Sequence, residues 1–320
     1  MSEQKTIEFK KTRDFGQKFN VTFEFLRQEF KPLLNAILFI SGPPIVLGSI
    51  MGAYYQKNSL SLMDFASFSE GVLQDDFLIS AIVMLIFSYV AYIFIFATIN
   101  EYILEYSRSG TNVRTQDVWT QVKANLTRYI GSALGLSVFT IALLVIVSLF
   151  AAAIIAANVL FLNFLLFIAF LLGIFFMFVF IYIAYIVINC EEVGLLSAIN
   201  RTVTLLRGNW FATIGLFIVG SLMVSLLNIV FTLPNAILTS LGLLHSIENP
   251  DAMQLSLSRE LLHGFTAFIA SAGGFFMTVI IMLLMIFQYY HLAEKLDASG
   301  LLDRIGSLGE TRNDDDEEHY

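Results

Sequence analysis

Charge is the first thing this chain has little of. Only 14% of its 320 residues are Asp, Glu, Lys or Arg, about half of the roughly 25% typical of soluble domains. Hydrophobic residues make up 57% and 31 are Phe, with a mean hydropathy of +0.75. This balance excludes a soluble enzyme, a disordered scaffold and a nucleic-acid binder. Cysteine is scarcer still. Cys190 stands alone, which excludes an intrachain disulfide and a small disulfide-stapled secreted domain, and it reads as an inert small apolar residue. Histidine occurs only at 245, 263, 291 and 319. His291 and Glu294 lie three apart on a helix, but two ligands are too few for a metal site. The phosphate-binding Gly-Lys-Ser/Thr loop, the Gly-x-Ser-x-Gly elbow and His-Glu-x-x-His are all missing. No catalytic, metal or cofactor residue is therefore assigned.

Long apolar runs are what the chain has instead. Crossing about 30 Å of hydrocarbon takes about 20 apolar residues in a helix. Six segments qualify: 32–54, 77–99, 129–156, 159–188, 210–233 and 264–290. None contains Asp, Glu, Lys or Arg. The third and fourth form one uncharged stretch that reads as a hairpin turning near Asn158 and Asn163. Continuous runs argue for helices, because strands of a membrane barrel alternate apolar and polar residues. The expected fold is an all-α membrane protein, a single six-span domain over 1–310 with an acidic tail at 311–320.

Lys and Arg set the orientation. Seven lie in the first 31 residues, four between spans two and three, two between spans four and five and three after span six. Only Lys57 and Arg259 fall on the opposite side. The positive-inside rule then places both termini in the cytoplasm. The polar N-terminal segment has no secretory signal, so span one is expected to be retained as an anchor. The run Asp314–Glu318 reads as a solvated tail.

Amphipathic stretches precede spans one, three and five. Phe19, Phe23, Leu26, Phe30 and Leu33 form the first stripe, with Arg27, Gln28, Glu29 and Lys31 on other faces. Val118, Trp119, Val122 and Leu126 form the second, and Leu195, Ile199, Val203 and Leu206 the third. Leu301, Leu302, Ile305 and Leu308 repeat the pattern after span six. Such helices suit the headgroup boundary or the base of a bundle. The steps into the membrane align: Arg27-Gln-Glu-Phe30, Lys123-Ala-Asn-Leu126 and Arg207-Gly-Asn-Trp210. A triplicated unit of one amphipathic helix and one hairpin is the reading this suggests.

Within the spans, Gly48/Gly52, Gly131/Gly135 and Ala270/Gly274 offer small faces for close helix packing. The Phe-rich fourth span is expected to face lipid. Pro43-Pro44 is expected to break span one, either as an unwound site or hinge or as a kink that neighbouring helices repair. Asn35, Asn163, Thr213, Asn228, Thr278 and Gln288 are expected to hydrogen-bond between helices. The outward segments 55–76 and 234–263 are expected to form short interfacial helices.

The stretch Glu192-x5-Ala198-x2-Arg201-Thr202-x3-Leu206-x-Gly208-Asn209-Trp210 resembles the membrane domain of some bacterial glycerophosphoryl diester phosphodiesterases and stand-alone bacterial membrane proteins that share it. Thr202 stands where such proteins often carry Ser. The resemblance implies a bacterial cytoplasmic (inner) membrane and a helical bundle, without the soluble catalytic barrel. From the residues themselves, Gly208 suits a helix C-terminal cap, Asn209 an N-terminal cap, and Trp210 the interface. Arg27, Lys123, Arg201, Arg207, Asn209 and Trp210 are candidate contacts to lipid headgroups or to a protein partner on the cytoplasmic side. Glu101, Glu191 and Glu192 are candidate inner-edge carboxylates, available as pairing partners for Arg201 and Arg207. The expected role is a non-enzymatic scaffold or accessory subunit. The alternatives are a carrier or flippase for a lipid-like or amphipathic solute, and a lipid-acting enzyme using those three carboxylates. Reporter fusions at residues 1 and 320 should both report cytoplasmic placement. Opposite placement would contradict the even number of crossings.

Overall fold

The structure is a computed structural model that describes residues 7–60, 75–110, 113–156, 160–248 and 257–298. The stripe Leu301–Leu308, the acidic tail and Asn158 lie outside the described residues.

Among the described residues every regular element is a helix. In chain order they are α1 (Phe15–Ala36), a π turn (Ile37–Ser41), α2 (Gly42–Leu60), α3 (Asp75–Ser109), α4 (Thr115–Ala156), α5 (Leu160–Cys190), α6 (Leu195–Leu206), α7 (Trp210–Glu248) and α8 (Leu257–Asp297). Six continuous helical stretches are long and apolar enough to cross a membrane: Phe15–Lys57, Phe77–Ser109, Thr115–Leu149, Asn163–Cys190, Trp210–Leu241 and Leu261–Asp297. The protein is a multi-pass, all-α membrane protein.

Helix α8 is the hub. It packs against α1, α2, α3, α5, α6 and α7, and every residue from Val279 to Tyr289 is buried. A helix apolar all round belongs inside a bundle. Close approach to it relies on small residues. A Cβ on Gly52 would fall 2.8 Å from Ser271 Oγ, and one on Gly48 3.1 Å from the Phe275 ring. The Gly48/Gly52 face thus meets α8 as its spacing suggests. The other two pairs behave differently. Gly131 has open space beside it, and Gly135 touches Leu195 of α6, not another span. On α8 the tight position is Gly273, where a Cβ would lie 2.4 Å from Phe231 Cβ, while Gly274 has nothing within 4 Å. Gly220 of α7 is equally close to α8, at Leu284 and Ile281. The small-xxx-small pattern misses these because only one small residue is needed where a large partner side chain fills the rest of the contact.

Two further expectations are corrected. Pro43-Pro44 does not break span one. The two imides fall in the first turn of α2, directly after the π turn, and a widened turn accommodates an interruption of the i→i−4 ladder without unwinding it. The segment after 233 is not a separate interfacial helix, because α7 continues through Pro234 to Glu248. Helix α4 ends at Ala156 and α5 begins at Leu160, so of the two residues expected to mark the turn Asn163 lies inside α5.

Span four does face outward. Phe161, Phe164, Phe167 and Phe170 are all exposed, and no described side chain before Val179 in α5 is buried. Residues 141–149 of α4 are exposed as well, so the far half of this hairpin stands off from the bundle.

The three amphipathic stretches enter the membrane differently. The first kinks at Glu29, whose φ/ψ of −103°/15° is non-helical. The second runs straight into its span within α4. The third stops at the turn Arg207-Gly208-Asn209, where Gly208 takes φ +76°, the left-handed conformation a glycine adopts without strain.

Replacing Gly273 by Ala is expected to cost about 1–3 kcal/mol through overpacking, seen as a lower melting temperature in detergent. Gly131→Ala should be neutral or slightly stabilising. Equal effects would contradict the assigned α7–α8 contact.

Candidate functional site

Polar side chains gather at one end of the bundle, where the N-terminal segment, the α3–α4 loop, the α5–α6–α7 connections and the end of α8 meet. This is the end rich in Lys and Arg.

The first of these groups hangs on α1. Its inward face carries Lys18, Val21, Thr22, Phe25, Glu29 and Leu33, all buried. The expected stripe is divided: Phe23 and Phe30 are exposed, Leu33 is buried, and Phe19 and Leu26 are half-buried against the core. Glu29, expected on the polar outer face, is only 2% exposed and accepts a hydrogen bond from Tyr102 Oη at 2.7 Å. A carboxylate turned into the bundle needs a hydrogen-bond partner there, and Tyr102 supplies it.

The segment before α1 closes over this face. Phe9 is buried among Phe25, Tyr106, Phe287 and Tyr290, stacking on Phe287 at 5.2 Å. Arg13 lies over the Phe287 ring at 5.4 Å and donates to the carbonyls of Phe9 and Glu8. Burial pulls its guanidinium below the ordinary range. The Arg13 backbone N–H donates to His291 Nδ1 at 3.0 Å, and that of Ile7 to Tyr106 Oη at 3.1 Å.

The second group centres on Glu101, 4% exposed at the end of α3. Its Oε1 accepts from Asn125 Nδ2 at 2.8 Å and from Tyr129 Oη at 3.0 Å. Asn100 donates to Tyr129 Oη at 2.8 Å, and the Cys190 thiol donates to Asn100 Oδ1 at 3.1 Å. Arg128 links outward, donating to Asn125 Oδ1 and pairing with Glu192 at 2.8 Å. Glu192 itself has φ 55°, a strained backbone value for a non-glycine residue, in the turn between α5 and α6.

The third group joins three helices. Arg201 on α6 donates through Nε to both oxygens of Glu191, at 3.1 and 3.2 Å, and through its terminal nitrogens to Asp297 of α8. Tyr289 Oη also donates to Glu191, at 2.9 Å. Hydrogen bonding to Asp297, followed by that to Glu191, holds the guanidinium above its ordinary range against the opposing effect of burial. Lys295 donates to Asn209 Oδ1 at 2.9 Å. The Asn209 side chain thus ties α8 to the α6–α7 turn. Trp210 stacks on Phe180 with ring planes 10° apart and tilts against Phe176.

The candidate residues therefore divide. Glu101, Glu191, Glu192, Arg201 and Asn209 are occupied within the protein, and Trp210 is packed against α5. Arg27, Lys123 and Arg207 are exposed, with Lys123 lying over Trp119 at 5.2 Å. Among the described residues no group of three or more His, Cys, Asp or Glu is placed to hold a metal ion.

Residue-by-residue reading missed Phe9, Arg13, Glu29 and Tyr102. It also missed a recurrence: Asn100, Asn189 and Gln288 each end the second arm of a hairpin. Each donates to a hydroxyl near the start of a first arm: Tyr129 at 2.8 Å, Ser132 at 3.2 Å and Thr213 at 2.8 Å. The Gln288–Thr213 bond joins two residues expected to pair between helices. Of the others, Thr278 bonds back to its own helix at Gly274 O, and Asn163 and Asn228 keep buried side-chain oxygens without partners. Asn35 is exposed.

No family model matches the chain, and no curated protein or solved structure matches it.

Arg201→Ala leaves Glu191 and Asp297 short of their cation and is expected to lower stability by about 1–3 kcal/mol. Arg201→Lys should recover only part, since it cannot reproduce the forked contacts. Arg207→Ala should fall within about 0.5 kcal/mol of the parent. Melting in detergent distinguishes the three.

Proposed function

We propose that the chain is a bacterial cytoplasmic-membrane protein with both termini in the cytoplasm. It works without catalysis, as a scaffold or accessory subunit whose basic end meets anionic headgroups or a protein partner. The observation that carries this reading is the division of charge at that end. The carboxylates a reaction would use are bonded to Arg201, Arg128, Tyr129 and Asn125, whereas Arg27, Lys123 and Arg207 are exposed.

The surroundings of the exposed cations support it. Phe30 beside Lys31 and Phe211 beyond Arg207 are 58% and 83% exposed. Large apolar side chains next to cations fit the boundary where acyl chains meet headgroups. Phosphate groups of anionic lipids complement Lys and Arg there, each contact contributing about 1 kcal/mol. The same exposed set fits an acidic partner surface. The asymmetry of Lys and Arg supports the cytoplasmic assignment, and the resemblance over Glu192–Trp210 supports the bacterial one.

The triple replacement of Arg27, Lys123 and Arg207 by Gln should reduce retention of phosphatidylglycerol in native mass spectrometry by about 3 kcal/mol in total. Phosphatidylcholine retention should not change. Unchanged phosphatidylglycerol retention in a folded variant would refute headgroup binding at these residues.

A further inference from the structure

Away from the basic end, a cavity of about 710 Å³ lies among α3, α4, α5, α7 and α8. Its size falls within the roughly 300–1,000 Å³ of small-molecule sites. On α4 its walls run from Ala133 to Ile141, about 12 Å of helix rise. Tyr182 on α5 and Ser221 on α7 also line it. They sit about 12 Å and about 16 Å along their helices from Cys190 and Trp210, close to the middle of a roughly 30 Å hydrocarbon layer. The cavity ends on α4 and α5 at Ile141 and Phe178, where the hairpin leaves the bundle, so a molecule dissolved in the bilayer reaches it sideways.

Three features of the wall define what fits. Among the described residues no Asp, Glu, Lys, Arg or His lines it, so a charged ligand would enter without a counter-charge. Aromatic rings line it from three helices: Tyr92 and Phe96, Tyr182 and Tyr185, and Phe217. Flat faces of this kind favour a planar ring through offset stacking or edge contacts. The third feature is hydroxyl chemistry. Thr140 and Thr278 satisfy themselves by bonding back to the carbonyls of Leu136 and Gly274, and Tyr89 pairs with Ser137 at 2.7 Å. Among the described residues the hydroxyls of Tyr182, Ser221 and Ser225 have no hydrogen-bond partner. A plain acyl chain would leave them unpaired in hydrocarbon, which is unfavourable. An uncharged ring with carbonyl acceptors pairs them.

We propose that this cavity binds an uncharged, lipid-soluble ring compound of the quinone class, its ring among the aromatic side chains and its carbonyl oxygens accepting from Tyr182, Ser221 or Ser225. This site is independent of the headgroup contacts at the basic end, and the proposal is one of binding alone.

The test is titration of the full-length protein in dodecyl maltoside with menadione and with decylubiquinone, followed by calorimetry. The expected result is saturable binding of one molecule per chain, weakened about tenfold by Tyr182→Phe, which deletes one hydroxyl and keeps the ring. The Ser221→Ala/Ser225→Ala double variant should weaken it as well. Unaltered melting temperatures establish that these variants are folded. Absence of saturable binding by the parent protein would overturn the proposal. So would equal affinity in all the variants, or full displacement by equimolar phosphatidylcholine, which would mark a site for lipid tails only.

Discussion

Hydrocarbon offers no partner to a polar group, and the arrangement of this protein follows from that constraint. Each helix satisfies its own backbone. Side chains have no such provision, so the polar ones that reach the membrane region must meet each other. Hence Glu29 finds Tyr102, Glu101 finds Tyr129 and Asn125, and Gln288 finds Thr213. All these pairs lie near one end, where the termini and basic loops also lie. On α1 the buried face mixes Lys18 and Glu29 with Phe25 and Leu33, while Phe23 and Phe30 are exposed.

Packing obeys a second rule, because burying apolar surface in lipid gains little and close contact must supply the attraction. Helix α8 collects more of that contact than any other helix. Gly52 lets α2 approach it, and Gly220 and Gly273 let α7 do so. The α4–α5 hairpin shares in this only near the basic end, and its outer half is left to lipid. One base of that divergence is the cavity, walled by rings and hydroxyls without a charge. The molecule thus has two distinct polar regimes, charged and closed at the end of the bundle, neutral and open near its middle.

Much of the candidate site was legible, but only as residue types. The position of Glu101, Glu191 and Glu192 at the ends of apolar spans was visible, and Arg201 was visible as a partner for Glu191. Asp297 as the second partner was not, since nothing in the sequence relates α6 to the end of α8. Phe9 looked like one apolar residue in a polar leader, and its role depends on rings contributed by α1, α3 and α8. The positions of Asn100, Asn189 and Gln288 are readable as a repeat, yet their acceptors are not, because acceptor choice depends on which helices are neighbours.

Composition and run length by themselves determined that this chain is a helical protein with six membrane-long stretches, because roughly 30 Å of hydrocarbon imposes about 20 apolar residues on any crossing helix. The sequence also determined that the Phe-rich first half of span four is exposed, since a surface of bulky Phe leaves no room for close approach. Only the tertiary structure decided which face of α1 turns inward, which glycines touch a neighbour, and which of the basic residues remain exposed. Those outcomes depend on distances between helices far apart in the chain, and periodicity within one helix carries no information about its neighbour.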